Sequence, residues 1–227
     1  MNRNFQQELE QIIKQEKCEE KDISQKPTLL MHSCCAPCSS YCMEYLRRYF
    51  RITILYYNPN ITNQQEYEHR VQEQKRLIDA YNQIQKDKTE IPLTKIEFLE
   101  GRYDPKEFIE IARGYEEVPE GGERCFRCYR LRLTEAAVIA AREKFDYFTT
   151  TLTISPLKNA EKLNQIGEEL AKKYQVAFLP SDFKKKNGYK RSTELSREYN
   201  LYRQDYCGCS FSKAERERQK EKANLNR

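Results

Sequence analysis

Phosphate-binding loops are missing from this sequence of 227 residues. It contains neither G-x-x-x-x-G-K-[ST] nor G-x-G-x-x-G, and seven glycines leave little material for a loop whose backbone cradles phosphate. A nucleotide-triphosphate-driven reaction is therefore disfavoured. Long apolar runs are also absent: nothing approaches the roughly 18 consecutive apolar residues of a membrane span. The stretch from Met1 to Lys26 is polar throughout, with no apolar h-region of a secretory signal. The expectation is a cytoplasmic protein. No internal repeat and no low-complexity linker interrupts the chain.

What is present is cysteine. Nine of them in a reducing compartment argue against a disulfide framework and for metal binding or redox chemistry. They fall into three groups: Cys34, Cys35, Cys38 and Cys42; Cys125 and Cys128; Cys207 and Cys209. Cys18 stands alone in a polar segment. Net charge is +5, which suits a polyanionic partner without specifying one. Lys184, Lys185, Lys186, Lys190, Arg191 and Arg197 cluster after Asp182, and Lys213 to Arg227 is a second charged stretch. A solvated helix face and a charged tail would give the same pattern.

Periodicity places these groups. Residues 1–26 read as a polar helix with Phe5, Leu9, Ile12 and Ile13 at helical spacing. Strands are expected at Thr28–Met31, Ile52–Tyr57, Leu93–Leu99, Tyr147–Leu152 and Val176–Leu179. Helices are expected at about Ser39–Tyr49, at Gln64–Gln85, after the Asp104-Pro105 N-cap, from Cys125 to about Lys144, and at Asn159–Tyr174. Strands alternating with helices imply right-handed βαβ units, hence an α/β fold with a mostly parallel sheet and helices on both faces. The expected organisation is a polar N-terminal helix (1–26), an α/β catalytic domain (27–182) and a basic C-terminal segment carrying Cys-Gly-Cys (183–227). Sites in such sheets form beyond the carboxyl ends of the strands, which is where Cys34-Cys35 and Thr153–Lys158 fall.

Cys125-x-x-Cys128 at a helix start lets two thiolates converge, and the helix N-terminus favours their anions. By itself it suits zinc, an iron–sulfur cluster or a dithiol pair. Adjacent Cys34 and Cys35 seldom chelate one zinc ion, whereas a cubane takes neighbouring thiolates more easily. Cys34, Cys35, Cys125 and Cys128 would complete a [4Fe–4S] sphere; a structural zinc site is the competing reading. Cys207-Gly208-Cys209 can close a strained, readily reduced small-ring disulfide, or supply two ligands or two ordinary thiols. His32 fits best as a hydrogen-bonded histidine ending a strand. Glu123 and Arg124 would either position substrate or form a surface ion pair.

His32-Ser33-Cys34-Cys35-Ala36-Pro37, Glu123-Arg124-Cys125-Phe126-Arg127-Cys128-Tyr129, Ser155-Pro156-Leu157-Lys158-Asn159, Asp182-Phe183-Lys184-Lys185 and Tyr206-Cys207-Gly208-Cys209 occur in that order. Together they resemble the QueH family of epoxyqueuosine reductases, formerly a domain of unknown function, from about Lys26 to Ser210. The resemblance implies a Rossmann-like fold related to the adenine-nucleotide hydrolase superfamily. It implies a [4Fe–4S] cluster on Cys34, Cys35, Cys125 and Cys128, a nearby additional iron, and a redox-active Cys207/Cys209 pair. Cys38 stands where some members have Asp, which makes it a candidate ligand of the second iron; Cys42 has no assignable role.

The implied reaction reduces the epoxide of epoxyqueuosine at the tRNA wobble position to queuosine, with electrons from an external donor. A Lewis-acidic iron would polarise the epoxide oxygen. No cobalamin signature is apparent, and Lys184, Lys185, Lys186, Lys190 and Arg191 would contact tRNA phosphates, with Tyr189 stacking on an unpaired base and Tyr199 fitting core packing better. Two other readings compete. A zinc-stabilised RNA-binding module leaves the Cys34-Cys35 pair and Cys-Gly-Cys without purpose, and a thiol–disulfide oxidoreductase needs an exposed dithiol and no metal.

Overall fold

In β1 (Thr28–His32) side chains alternate strictly: Leu29 and Met31 enter one apolar core, Leu30 the other. β2 (Arg51–Tyr56) repeats the pattern, with Ile52 and Ile54 on the first face and Leu55 on the second. Strands buried on both faces need cover on both. α1 (Phe5–Gln15), α2 (Ala36–Leu46) and α3 (Gln64–Asn82) pack on the first core, and α5 (Glu123–Arg142) and α6 (Ala160–Tyr174) on the second. The computed structural model describes residues 3–84 and 93–225.

β3 (Glu97–Glu100), β4 (Tyr147–Thr150) and β5 (Ala177–Phe178) complete a five-stranded sheet of order β3-β2-β1-β4-β5. Every strand pair is parallel, so the expected α/β Rossmann-like architecture is observed. The order reverses beside β1, and the crevice between the carboxyl ends of β1 and β4 is the position where such sheets bind ligands. Register places His32 level with Thr150 there. The remaining helices are α4 (Pro105–Ala112), α7 (Gly188–Glu198), which packs on α2, and α8 (Ser210–Leu225).

Several elements differ from their sequence limits. The first helix stops at Gln15 because Lys17 adopts a left-handed φ of 50° and the Cys18 amide bonds back to Ile13 O at 3.3 Å, a closing turn. Cys18 thus lies beyond the helix and is fully buried. α2 begins three residues before Ser39, since Cys35 is the extended N-cap and Pro37 suits the first turn. β3 is shorter than Leu93–Leu99 because Thr94 spends its hydroxyl on Arg47 O and Phe50 O, while Ile96 N bonds to Asn82. β4 gives way after Thr150 to a 3-10 turn, Thr151–Ile154, whose Leu152 amide is capped by the Thr150 hydroxyl. The expected end of the third helix, Gln85, lies outside the described residues. Asp104 caps α4 as the sequence indicates.

Candidate active site

The carboxyl end of β1 delivers three thiols to one point. Ser33 holds the turn, its amide bonded to Leu55 O (2.9 Å) and its hydroxyl to Gln74 Oε1 (2.7 Å). Gln74 also accepts from Ser39 Oγ at 2.9 Å, so one side chain of α3 fixes both sides of the cysteine turn. Cys34 and Cys35 follow, and Cys38 sits in the first turn of α2. The ligand atoms of Cys34, Cys35 and Cys38 all lie within 4.8 Å of one another, and Cys34 Sγ is 3.8 Å from Cys35 Sγ. Four thiolates around one ion at about 2.3 Å have edges of roughly 3.8 Å, so this trio is spaced to share a metal. Hydrogen bonds from Cys34 and Cys38 hold the Cys35 thiol well below its usual range; the contact with Cys35 pushes Cys34 up, and those with Cys34 and Cys35 push Cys38 up. Cys42, one turn further on, turns its Sγ to Cys38 O at 3.4 Å and is buried.

Cys125 and Cys128 occupy the opening turns of α5. They stand outside the 4.8 Å group of the other three. Gly121 N donates to Cys125 Sγ at 3.3 Å; burial pushes Cys128 up to about 11. Four residues beyond Cys128, on the same helix face, buried Arg132 ties the floor together. Its Nη2 donates to Asn58 Oδ1 at 2.6 Å, its Nε to His32 Nε2 at 3.2 Å, and its Nη1 points to Cys128 Sγ at 4.0 Å. His32 is therefore a buried structural imidazole, with Nδ1 2.9 Å from Thr150 Oγ1. Burial, then the Arg132 charge, lowers it to about 3. Arg124 is buried too, donating to the carbonyls of Tyr115, Glu116 and Val118. It builds the loop before α5 instead of facing a substrate or pairing on the surface. Glu123 pairs with Arg127 at 3.6 Å.

Cys207 and Cys209 arrive on the strap between α7 and α8. Gly208 takes a φ of 113°, and an added Cβ there would lie 2.9 Å from Ile61, so both conformation and space require glycine. The strap is anchored by Arg70 Nη1 to Cys207 O (3.3 Å), Thr62 N to Gly208 O (3.3 Å) and Cys207 N to Ser212 Oγ (3.1 Å). A cavity of about 290 Å³ is lined by Cys34, Cys35, Cys38, Lys158, Gln204 and Cys207, among others. A small one adjoins it, lined by Cys125, Cys128, Cys207 and Cys209 with Asn60 and Tyr129. Cys207, Lys158 and Glu120 line both. Leu157, 69% exposed, and Tyr189, 42% exposed, stand at the larger cavity.

The five basic residues read from the sequence lie elsewhere. Lys185 and Lys186 line a different hollow beside the start of α1. Lys184 pairs with Asp182 (2.8 Å), Lys186 with Glu10 (2.5 Å) and Lys190 with Glu194 (4.0 Å); Arg191 binds Glu44 (2.7 Å) and Glu198 (2.6 Å). Tyr199 packs on the core with its ring 5.3 Å from Tyr81. Gln74, Arg132, Asn58 and Glu120 carried no sequence signal beyond the helical spacing of Arg132 from Cys128.

Fold and site together define a class: a Rossmann-like α/β protein with a metal-competent thiol cleft at the switch point of its sheet. Comparison with known proteins narrows it. The profile of the family Epoxyqueuosine reductase QueH matches residues 29–215. Relatives carrying that name include one from Streptococcus pyogenes serotype M1, 43% identical over 93% of this chain and 80% of its own length. One from Staphylococcus epidermidis is 41% identical over 92% and 84%, and one from Thermotoga maritima 32% over 83% and 92%. The chain belongs to the QueH family of epoxyqueuosine reductases.

Proposed function

We propose that this protein is an epoxyqueuosine reductase acting on tRNA, with the chemistry centred on the cavity that Cys34, Cys35, Cys38 and Cys207 share. The observation that carries the reading is that cavity: three convergent thiols at the switch point, and a fourth brought by a separate strap. Cys34, Cys35, Cys125 and Cys128 would hold a [4Fe–4S] cluster, with Cys38 a ligand to an additional iron. The donor set suits them. Four thiolates are the donor set such a cluster takes, Cys125 and Cys128 stand outside the tight trio, and Asn60 Oδ1 and Tyr129 OH are buried without partners among the described residues, beside the small cavity. When bound, these groups supply single electrons and a Lewis acid for the epoxide oxygen.

The chain's own residues do the rest. Gln74 and Ser33 fix the thiol turn, and Arg132 keeps the floor rigid and cationic behind Cys128. Cys207 and Cys209 form the redox-active pair, drawing on an external electron donor. Leu157 and Tyr189 offer apolar faces to an unpaired base at the cavity, as recognition of splayed RNA bases requires. Lys184, Lys185, Lys186, Lys190 and Arg191 serve as phosphate contacts; the Lys186 and Lys190 ion pairs are mostly exposed, and such pairs are weak and exchange readily for phosphate, while Lys184 and Arg191 have partly buried carboxylates to give up. No described helix is long and apolar enough to cross a membrane. Anaerobic reconstitution with iron and sulfide tests the cofactor assignment. Brown protein whose iron and sulfide are lost in Cys125→Ala is expected. Colourless protein that binds zinc tightly and no sulfide would overturn it in favour of a zinc-stabilised module.

A further inference from the structure

Lys158 is a buried cation whose purpose the cofactor ligands do not explain. It follows the turn after β4, only 8% of its side chain is exposed, and it lines both cavities. Burying an ammonium is costly unless a partner carries opposite charge. Its Nζ stands 3.4 Å from Cys207 Sγ and 3.9 Å from Glu120 Oε1. Glu120 takes the Ser212 hydroxyl on its other oxygen at 2.9 Å, which links the ion pair to the C-terminal strap. The sulfur is the nearer partner.

The two sulfurs of the pair are unequal in their surroundings. Cys209 is buried among Phe108, Ala112 and Cys128, and its sulfur receives the Ser212 amide at 3.3 Å. Cys207 lines the larger cavity, receives the ammonium, and has Asn60 Nδ2 at 4.0 Å. The same Ser212 whose amide meets Cys209 holds the Cys207 amide and Glu120, so Lys158, Glu120, Ser212 and both cysteines form one connected network.

We infer that Lys158 is a positioning residue for the redox pair: its ammonium holds the Cys207 sulfur in place and keeps that sulfur, and not Cys209, turned toward the cavity of Cys34, Cys35 and Cys38. This deepens the reading of Cys207 and Cys209 as a redox pair and rests on it. Oxidation of the Cys207/Cys209 dithiol makes one S–S bond and releases two electrons and two protons. The epoxide accepts both electrons, its two C–O bonds break, and its oxygen leaves as water with those two protons. An external two-electron donor, with two protons from solvent, then restores the dithiol. Throughout, Lys158 remains an ammonium.

The test compares alkylation of the full chain by anionic iodoacetate and neutral iodoacetamide, read at each cysteine by peptide mass spectrometry. A neighbouring cation raises the iodoacetate-to-iodoacetamide ratio at Cys207. Lys158→Met is expected to lower that ratio several-fold, and Lys158→Arg is expected to restore it. Circular dichroism of the two variants checks that each is folded. An unmoved ratio at Cys207 in folded Lys158→Met, or no recovery in Lys158→Arg, overturns the inference. Mild oxidation of the wild type separates this from the underlying reading. If no peptide linked through Cys207 and Cys209 forms, the redox pair fails and the inference with it. If the linked peptide forms but the ratio does not move, only the role of Lys158 fails.

Discussion

Arg132 shows how much of this site depends on side chains that never meet a ligand. Its guanidinium serves His32 at the end of β1 and Asn58 after β2, and faces Cys128 on its own helix. Arg132→Met would leave the Asn58 acceptor buried and unpaired, at about 1–3 kcal/mol, and leave His32 Nε2 to the Tyr57 carbonyl at 3.1 Å. Urea unfolding should therefore report a loss in that range or above, and Arg132→Lys should not recover it, because one ammonium cannot reproduce the fork. A loss below about 1 kcal/mol would contradict the role given to Arg132. The cysteines behave differently: Cys34→Ala should abolish iron loading, whereas Cys18→Ala, beyond α1 and among the first-face core residues, should retain it. Elemental analysis after reconstitution distinguishes them. The cysteines were legible because their chemistry is specific to the residue type. Arg132, Asn58 and Gln74 were not, since polar residues lie mostly on surfaces and only the tertiary structure reveals that these are buried.

The strap from α7 to α8 owes its place to α3. Arg76 donates to Tyr199 O and Asn200 O at 3.0 and 3.1 Å, and Glu73 Oε1 accepts the Tyr202 amide at 2.8 Å. The Arg76 hydrogen bond, aided by the Tyr202 amide, holds the Glu73 carboxyl below its usual value of 4.5. A carboxyl depressed in the folded state contributes stability that is fully present above the unfolded value and lost as pH falls through the folded one. Acidification below about 4.5 should thus loosen the strap, and amide hydrogen exchange at Tyr202 should accelerate there; in Glu73→Gln it should be fast already at neutral pH. Equal protection in wild type and Glu73→Gln at neutral pH would rule the clamp out. No sequence pattern announced this strap, because its contacts join residues more than a hundred positions apart. Local signals fared better: the alternation of β1 and β2 and the Asp104-Pro105 cap were readable. β3 was overextended because Leu93–Ile96 has strand-like composition but spends its hydrogen bonds on α2 and α3.

The order β3-β2-β1-β4-β5 sets the carboxyl ends of β1 and β4 side by side. That alone brings Cys34 and Lys158 to one crevice, and the alternation of strands and helices was enough to anticipate it. The convergence of the C-terminal strap on the same crevice was not, since it depends on α3, α7 and α8 packing around the sheet. The basic residues of the segment after Asp182 lie apart from the thiol cavity, which suits a role in holding the RNA and not in chemistry. Replacing Lys184 and Lys185 by Glu should weaken tRNA binding and reduce its salt slope by about 1 for each phosphate no longer neutralised. Filter binding at several salt concentrations measures this, and an unchanged slope would place the phosphate path elsewhere.

The central claim is that this cleft reduces an epoxide in tRNA. The most direct measurement incubates anaerobically reconstituted protein with epoxyqueuosine-containing tRNA and a low-potential reductant, followed by nucleoside digestion and mass spectrometry. The account predicts loss of one oxygen from the modified nucleoside, abolished in Cys34→Ala and Cys125→Ala. Unchanged epoxyqueuosine after incubation with cluster-loaded wild-type protein would contradict it.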